Sequence, residues 1–505
     1  MRIEEMLLNY KSTHPSFYIQ DDQGVWSRPQ LCARVLALAA RLKNAGVQIQ
    51  DRVALVSENS SSFLVGFLGI LAAGAVAAPL DPQLPAAVIE ERLSQCAIPW
   101  ICVSGIRPEK AFGGLTQLPD GGVILSEARG DWGFDGQKSP VLEYFPLGAA
   151  EDPAVILFSS GTTGVPKGAV LTHKAMLTNI KAIVEYMKPT SADRFYIIKT
   201  MTHTATLTGE ILAGLWVGAG LIARNPVVPP KVILKRIEDL KPTIMFANPT
   251  ILRLLLKVKS EKFDLSSLRV VYTSGSVAAG ELITEAAAFF YPAPVLNVYG
   301  LTEAGPRVTA QRLDRGILKP GSVGTPVQGV SLAIKNSAGA LCAPYETGRI
   351  YVQTPSLMLK YWNDPKSTAI KIRDGWLDTG DLGYQDEDGD LFIVGRADEM
   401  IIRGAHNIDP YRIENVIRQV PGVSNCLIFG VPDPVNGSRV ICAVQKEGAA
   451  VLNRQTIMAY CGQYLAPYEC PQTICEWPAL PATPSGKPSR KLAAEQYLRS
   501  VKSEE

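Results

Sequence analysis

Histidine is scarce in this chain: four residues in 505, at His14, His173, His203 and His406. None pair at ligand spacing, which argues against a Cys/His zinc site and leaves a hard, oxygen-bound ion as the metal to expect. The nine cysteines are odd in number, scattered and without a CxxC pair. That pattern excludes a disulfide framework and predicts free thiols in a reducing cytoplasm. Charge of one sign is also missing, since 50 Lys and Arg face 48 Asp and Glu for a net charge of +2. Nothing in that balance asks for a nucleic acid or an anionic membrane as partner. The opening MRIEEMLLNYK lacks the cationic-then-apolar order of a signal peptide, and the closing VKSEE is no retention or peroxisomal address. These readings predict a cytoplasmic protein.

One long uncharged run is present, FLVGFLGILAAGAVAAPL at 63–80. Its length suits a membrane span. Gly74 divides it, however, so the run reads better as a buried helix followed by a short strand, AVAAPL. The chain is also too long for one compact core, which predicts at least two folding units.

Apolar strand-like runs alternate with helical patterns through roughly the first 330 residues: RVALVS before SSFLVGFLGILAAG, AVILFSS before a helix near His173, then TIMFANP, LRVVYTSG and VLNVYG. This is the rhythm of parallel sheets covered on both faces, whose ligands gather beyond the carboxyl ends of strands. From about residue 320 the texture becomes short strands with glycine turns, and the last stretch alternates strands (SNCLIFGV, RVICAVQ) with helices (PYRIENVIRQV). The expected fold is therefore α/β. A large N-terminal domain, 1–395, carries parallel βα layers and a β-rich subdomain at 320–395. A small α+β domain follows at 396–505.

The densest chemistry lies in SSGTTGVPKG, 159–168, with three glycines, four hydroxyls and one lysine. Small residues let backbone amides ring an anion, hydroxyls add donors and a lysine adds a point charge suited to phosphate. The spacing is not that of a Walker A loop, because Lys167 follows Pro166 and precedes Gly168. A phosphate-holding loop of another type is the expectation, built from Ser159, Ser160, Gly161, Thr162, Thr163, Gly164 and Lys167.

SSGTTGVPKG resembles the phosphate-loop signature of the acyl-adenylating superfamily: acyl-CoA synthetases, nonribosomal-peptide adenylation domains and luciferases. Five further segments follow in that superfamily's order: YTSGS (272–276), VYGLTE (298–303), GWLDTGD (375–381), GRADEMIIRGAHNIDPYRIE (395–414) and PATPSGKPSR (481–490). The resemblance implies a two-step ligase. A carboxylic acid attacks the α-phosphate of ATP, pyrophosphate leaves, and the acyl-AMP passes to a thiol, either CoA or the phosphopantetheine of a carrier protein. The chemistry requires charge stabilisation at phosphorus.

By that resemblance the loop 159–168 holds the β- and γ-phosphates, Thr302 contacts the α-phosphate and Glu303 holds magnesium. Gly275 and Ser276 give backbone contacts to adenine, Tyr299 and Gly300 flank that ring, and Asp381 and Arg396 meet the ribose. Lys487, a plain solvated lysine on residues alone, becomes the mobile lysine that joins carboxylate and α-phosphate. Asp398 becomes the hinge of a mobile C-terminal domain. Gly404 and Ala405 line the thiol path, with Ala405 standing where many relatives have a second glycine.

The acyl side is read from KTMTHTATLTGE, 199–210. His203 matches the gate between nucleotide and acyl sites. Amino-acid-activating relatives place an aspartate just after the gate, and this chain has Thr204, so an α-ammonium would lack its carboxylate. The candidate pocket comprises Thr204, Asn248, Ser274, Asn297 and Arg307, the last either bound to backbone or paired with a polar group of the substrate. The resemblance leaves two other readings open, a carrier-loading adenylation enzyme and a non-catalytic nucleotide-binding protein. The presence of Lys167, Glu303 and Lys487 argues against the second.

Overall fold

The computed structural model describes residues 1–9, 16–104, 123–127, 144, 146–159, 167–225, 228–258, 263–275, 278–316, 318–403, 406–434, 437–448, 451–483 and 488–504. They form two compact units. The first comprises 1–332, 351–378 and 389–391, and the second 333–350, 379–388 and 392–505. The segment 320–395 thus contributes to both.

The first unit is built on two sheets. One runs in the order Thr325–Pro326, Thr309–Ala310, Val295–Tyr299, Val270–Thr273, Ile244–Ala247, Arg194–Ile197, Gly220–Ala223, Tyr18–Asp21, Gly24–Ser27. Its six central strands, Val295–Tyr299 to Tyr18–Asp21, are parallel. The other runs Lys360–Tyr361, Lys167–Thr172, Pro153–Ser159, Val76–Leu80, Arg52–Ser57, Trp100–Ser104, Val123–Glu127, and is parallel from Pro153–Ser159 onward. The expected α/β class with parallel βα layers is what the chain adopts.

The apolar run at 63–80 resolves as the sequence predicts. Ser61–Ala72 is a helix whose residues are all buried, the signature of a core helix. The chain turns at Gly74 (φ +85°) into the buried strand Val76–Leu80. Among the described residues no helix is long and apolar enough to cross a membrane. The helix sits in the core that also takes Leu55, Phe195, Ile197, Phe246 and Tyr272 from the two sheets and Met176, Ile180 and Ile183 from the helix His173–Met187. Full burial of each large side chain contributes about 1.5–3 kcal/mol.

The second unit is α+β. Strands Val423–Asp433 and Gly437–Lys446 pair antiparallel, and Thr473–Glu476 adds in parallel. Helices Pro410–Ile417, Arg454–Tyr464 and Arg490–Glu504 pack with them, and the unit also takes strand segments of a second sheet from 333–350, 379–388 and 392–396.

Candidate active site

The segment after Val295–Tyr299 makes a sharp turn. Its shape depends on glycine: a Cβ on Gly300 would lie 1.5 Å from the Pro306 carbonyl oxygen. Thr302–Ala304 then form one 3-10 turn closed by Gly305 (φ +76°). Glu303 is buried, and its Oε1 accepts the hydroxyl proton of Tyr361 at 2.7 Å. No described residue engages the other carboxylate oxygen. Tyr361 was not singled out from the sequence, where a tyrosine in MLKYW carries no signal.

Lys167 begins the strand after the glycine-rich loop. Its ammonium donates to Ser367 Oγ at 2.6 Å, lies 3.7 Å from Asp364 and sits 5.5 Å over the Tyr361 ring. Lys167 and Glu303 thus share Tyr361 as a neighbour. Residues 160–166, which include Ser160, Gly161, Thr162, Thr163 and Gly164, lie outside the described residues, as do Ser276, Gly404, Ala405 and Lys487. Ser159 ends the strand Pro153–Ser159. Gly275, with φ +100° and open space where a Cβ would stand, follows the strand Val270–Thr273.

His203 is exposed and caps a short helix, its Nδ1 accepting from the Ala205 amide at 3.3 Å. Thr204, the next residue, is buried, and its Oγ1 lies 3.0 Å from Thr302 Oγ1. The predicted gate helix and the predicted α-phosphate threonine therefore meet directly, though 98 residues separate them. Beyond Thr206 the helix widens into a π-helical turn, Leu207–Leu212, before regular helix resumes at Ala213–Val217. Such turns occur often at functional sites.

That turn buries charge. Lys199 Nζ lies 2.8 Å from Glu210 Oε1. Burial pushes each toward its neutral form, lowering the lysine pKa and raising the glutamate pKa, while their mutual attraction opposes this. Arg307 is 1% exposed. Its backbone amide donates to Asn179 Oδ1, its carbonyl accepts from Asn179 Nδ2, and its Nε donates to Tyr186 Oη at 3.3 Å. Lys199 and Arg307 share the Phe246 ring, each 5.3 Å from its centroid. Arg307 Nη2 and Thr208 Oγ1 are buried without a hydrogen-bond partner. The guanidinium fits because residue 209 is glycine, whose added Cβ would stand 2.7 Å from Nη2.

The other acyl-side candidates have no described hydrogen bond to this group. Asn248 caps the helix Pro249–Leu256, accepting from Ile251 at 2.8 Å. Asn297 is register-paired with Thr273, in strands whose faces alternate, so its buried side chain lies on the sheet face opposite Tyr272 and Phe246. Its Nδ2 and the Thr273 Oγ1 have no hydrogen-bond partner. Ser274 is buried at the end of the same strand. Lys199, Glu210 and Thr208 were missed in the sequence. The available signal was an acid and a lysine flanking an otherwise apolar and threonine-rich helical stretch.

In the second unit, Arg396 links the predicted ribose and hinge residues. Its Nη1 donates to Asp381 and its Nε to Asp398, both at 3.0 Å. Burial opposes the guanidinium charge, but the flanking carboxylates outweigh it and raise its pKa. A bridge between Ala482 and Pro488 brackets the segment that carries Lys487. Arg490, just beyond, pairs with Glu399 at 2.8 Å and Glu414 at 2.7 Å and lies 3.9 Å over the Tyr411 ring. The stretch following Lys487 is thereby fixed to the residue following Asp398.

The chain matches the family model described as AMP-binding enzyme over residues 9–362, and that of the AMP-binding enzyme C-terminal domain over 412–487. It belongs to the AMP-binding enzyme family. It is 31% identical over 478 residues to the oxalate–CoA ligase of Arabidopsis thaliana, covering 91% of each chain. It is 30% identical over 496 residues to the long-chain-fatty-acid–CoA ligase of Bacillus subtilis, covering 91% of this chain and 88% of that one. Among solved structures, ATP-bound MatB from Rhodopseudomonas palustris superposes with a TM-score of 0.88 at 27% identity, covering 98% of this chain and 99% of that chain. The protein is an enzyme of the acyl-adenylating superfamily, an AMP-forming acid–thiol ligase.

Proposed function

We propose that the thiol is CoA and that the residues singled out above carry the two half-reactions. The CoA reading is supported by the CoA ligases among the relatives, and the residue roles most by the 3.0 Å contact between Thr204 and Thr302, beside Glu303, the contact expected if acid and α-phosphate meet there. In the first half-reaction an oxygen of the acid forms a bond to the α-phosphorus, the bond from that phosphorus to the pyrophosphate oxygen breaks, and pyrophosphate leaves. Thr302 donates to the α-phosphate, and the loop 159–168 with Lys167 receives the departing phosphates. Lys487 neutralises charge shared by the carboxylate and the α-phosphate.

Glu303 is the residue that would hold magnesium. The fit is chemical: one oxygen is tied by Tyr361, and the other is a hard donor for that ion. Among the described residues no cluster of three or more acidic, histidine or cysteine side chains is present, so phosphate oxygens would supply most of the coordination. Bound magnesium supplies charge neutralisation at the phosphates.

Gly275, Ser276, Tyr299 and Gly300 would border the adenine, and Asp381 and Arg396 the ribose. His203 would gate the passage to the acid. In the second half-reaction the thiol attacks the acyl carbonyl along a path past Gly404 and Ala405, and AMP leaves. We assign the functional boundary to 395/396, with 396–505 turning about Asp398 between steps. The nine cysteines are all free thiols, and we infer a cytoplasmic setting, where ATP and CoA are at hand.

The test is product analysis with a panel of acids, Mg-ATP and CoA. One AMP, one pyrophosphate and one acyl-CoA per turnover are expected. Release of ADP, or thioester formation only on a carrier protein, would contradict the proposal.

A further inference from the structure

The acyl side holds two cations, Lys199 with its side chain 12% exposed and Arg307 fully buried, against one carboxylate. Lys199 pairs with Glu210, and Arg307 shares the Phe246 ring with Lys199. Arg307 makes no ion pair among the described residues, although the Glu210 charge acts on it from the adjacent turn, and its Nη2 is buried without a hydrogen-bond partner, as are Thr206 Oγ1, Thr208 Oγ1 and Glu210 Oε2 on that turn. A buried polar group without a partner costs free energy, and a buried charge without a counter-charge costs more. Tyr186 and Tyr272, the aromatic neighbours on this face, supply no negative charge: burial raises both phenol pKa values. The arrangement lacks one anion.

Position indicates where that anion comes from. Thr204 touches Thr302, and Gly209, against which the guanidinium packs, lies five residues further along the same helical stretch. Five residues are fewer than two helical turns, so the two points lie close along the axis. A short molecule with one carboxylate at Thr302 would carry its far end to Arg307.

We propose that the acid is a short dicarboxylate, whose second carboxylate pairs with Arg307 and hydrogen-bonds Thr208. The proposal rests on the ligase reading above. A site built around a buried hydrogen-bonding charge rejects an analogue that lacks the matching group by large factors. The bound acid would bring the buried charges to two cations and two anions.

The experiment is pyrophosphate exchange with malonate, succinate, glutarate and adipate, each beside its monocarboxylic acid of equal length, for the wild type, Arg307→Leu and Arg307→Lys. Expected is a preference in kcat/KM of about 100-fold or more for one diacid over its monoacid. Arg307→Leu should abolish or invert that preference, and Arg307→Lys should keep part of it. Melting provides a second readout. The unliganded Arg307→Leu enzyme should melt no lower than the wild type, and the preferred diacid should raise the wild-type melting temperature but not that of the variant. Preference for monoacids by the wild type, or an equal loss for both acid classes in Arg307→Leu, would overturn the proposal while leaving the ligase intact. Exchange with no acid at all would contradict the ligase reading instead, and the proposal with it.

Discussion

Two buried ionic groups in the first unit make an instructive pair. Near the start of the chain, Arg2 pairs with Glu4 at 2.7 Å, Tyr144 donates to the same carboxylate, and the neighbouring His173 is held neutral, its pKa lowered to about 3 by burial and then by Arg2. Arg2 also lies 3.8 Å from Asp152, so one cation meets two carboxylates there, and the group ties the first residues to the helix His173–Met187 through Ile3, whose amide donates to His173 Nδ1. On the proposed acyl side, Lys199 pairs with Glu210, while Arg307, which shares the Phe246 ring with Lys199, has no carboxylate of its own among the described residues. Burial is similar in both groups, so burial does not separate a structural cluster from a ligand-seeking one. The supply of counter-charge does.

The largest expected effect breaks the acyl-side group. Glu210→Gln leaves two buried cations without a counter-charge, and should cost about 3–5 kcal/mol in urea unfolding. A loss under 1 kcal/mol would mean that water reaches this turn.

Next is a position governed by shape instead of charge. Gly300→Ala sets a methyl group against the Pro306 carbonyl and should cost about 3 kcal/mol, or reduce adenylation sharply as the Thr302 turn shifts. Unchanged stability and unchanged exchange together would show that the turn relaxes freely.

The cluster around Arg2 has its own signature. The folded His173 pKa, about 3, lies below the unfolded value of about 6.5, so its contribution is present above pH 6.5 and is lost as pH falls toward 3. From pH 7 to pH 5 this amounts to about 2 kcal/mol. His173→Gln should remove that part of the acid sensitivity in melting curves. An unaltered pH profile would contradict the assignment.

The smallest effect concerns Asn248. As a helix cap, Asn248→Ala should cost about 1 kcal/mol without changing which acid is used. A change in acid preference would return it to the acyl pocket.

Much of this was legible in the sequence. The uncharged run at 63–80 declared its helix, turn and strand because apolar periodicity and Gly74 act locally. The phosphate-loop motif and the five segments that follow it in order pointed to the superfamily, and the expected nucleotide roles come from that resemblance. The charged acyl side was not legible in the same way. Lys199 and Glu210 are default surface residues by type; the π-helical turn carries Glu210 into the interior, where it meets Lys199 from outside that turn. Asn248 and Asn297 looked alike in sequence, each at a strand end. One proves to be a cap, and the other is a buried amide on the far sheet face. Arg490 was quoted within a motif, yet its pairing with Glu399 and Glu414 spans 91 and 76 residues, beyond any local pattern.

The most direct test of the account separates the two half-reactions in Lys487→Ala. Acid-dependent exchange of pyrophosphate into ATP should vanish, while thioester formation from supplied acyl-AMP and CoA should persist at near wild-type rate. Retained exchange, or equal loss of both steps in a folded variant, would contradict the role given to Lys487 and the two-step ligase assembled around it.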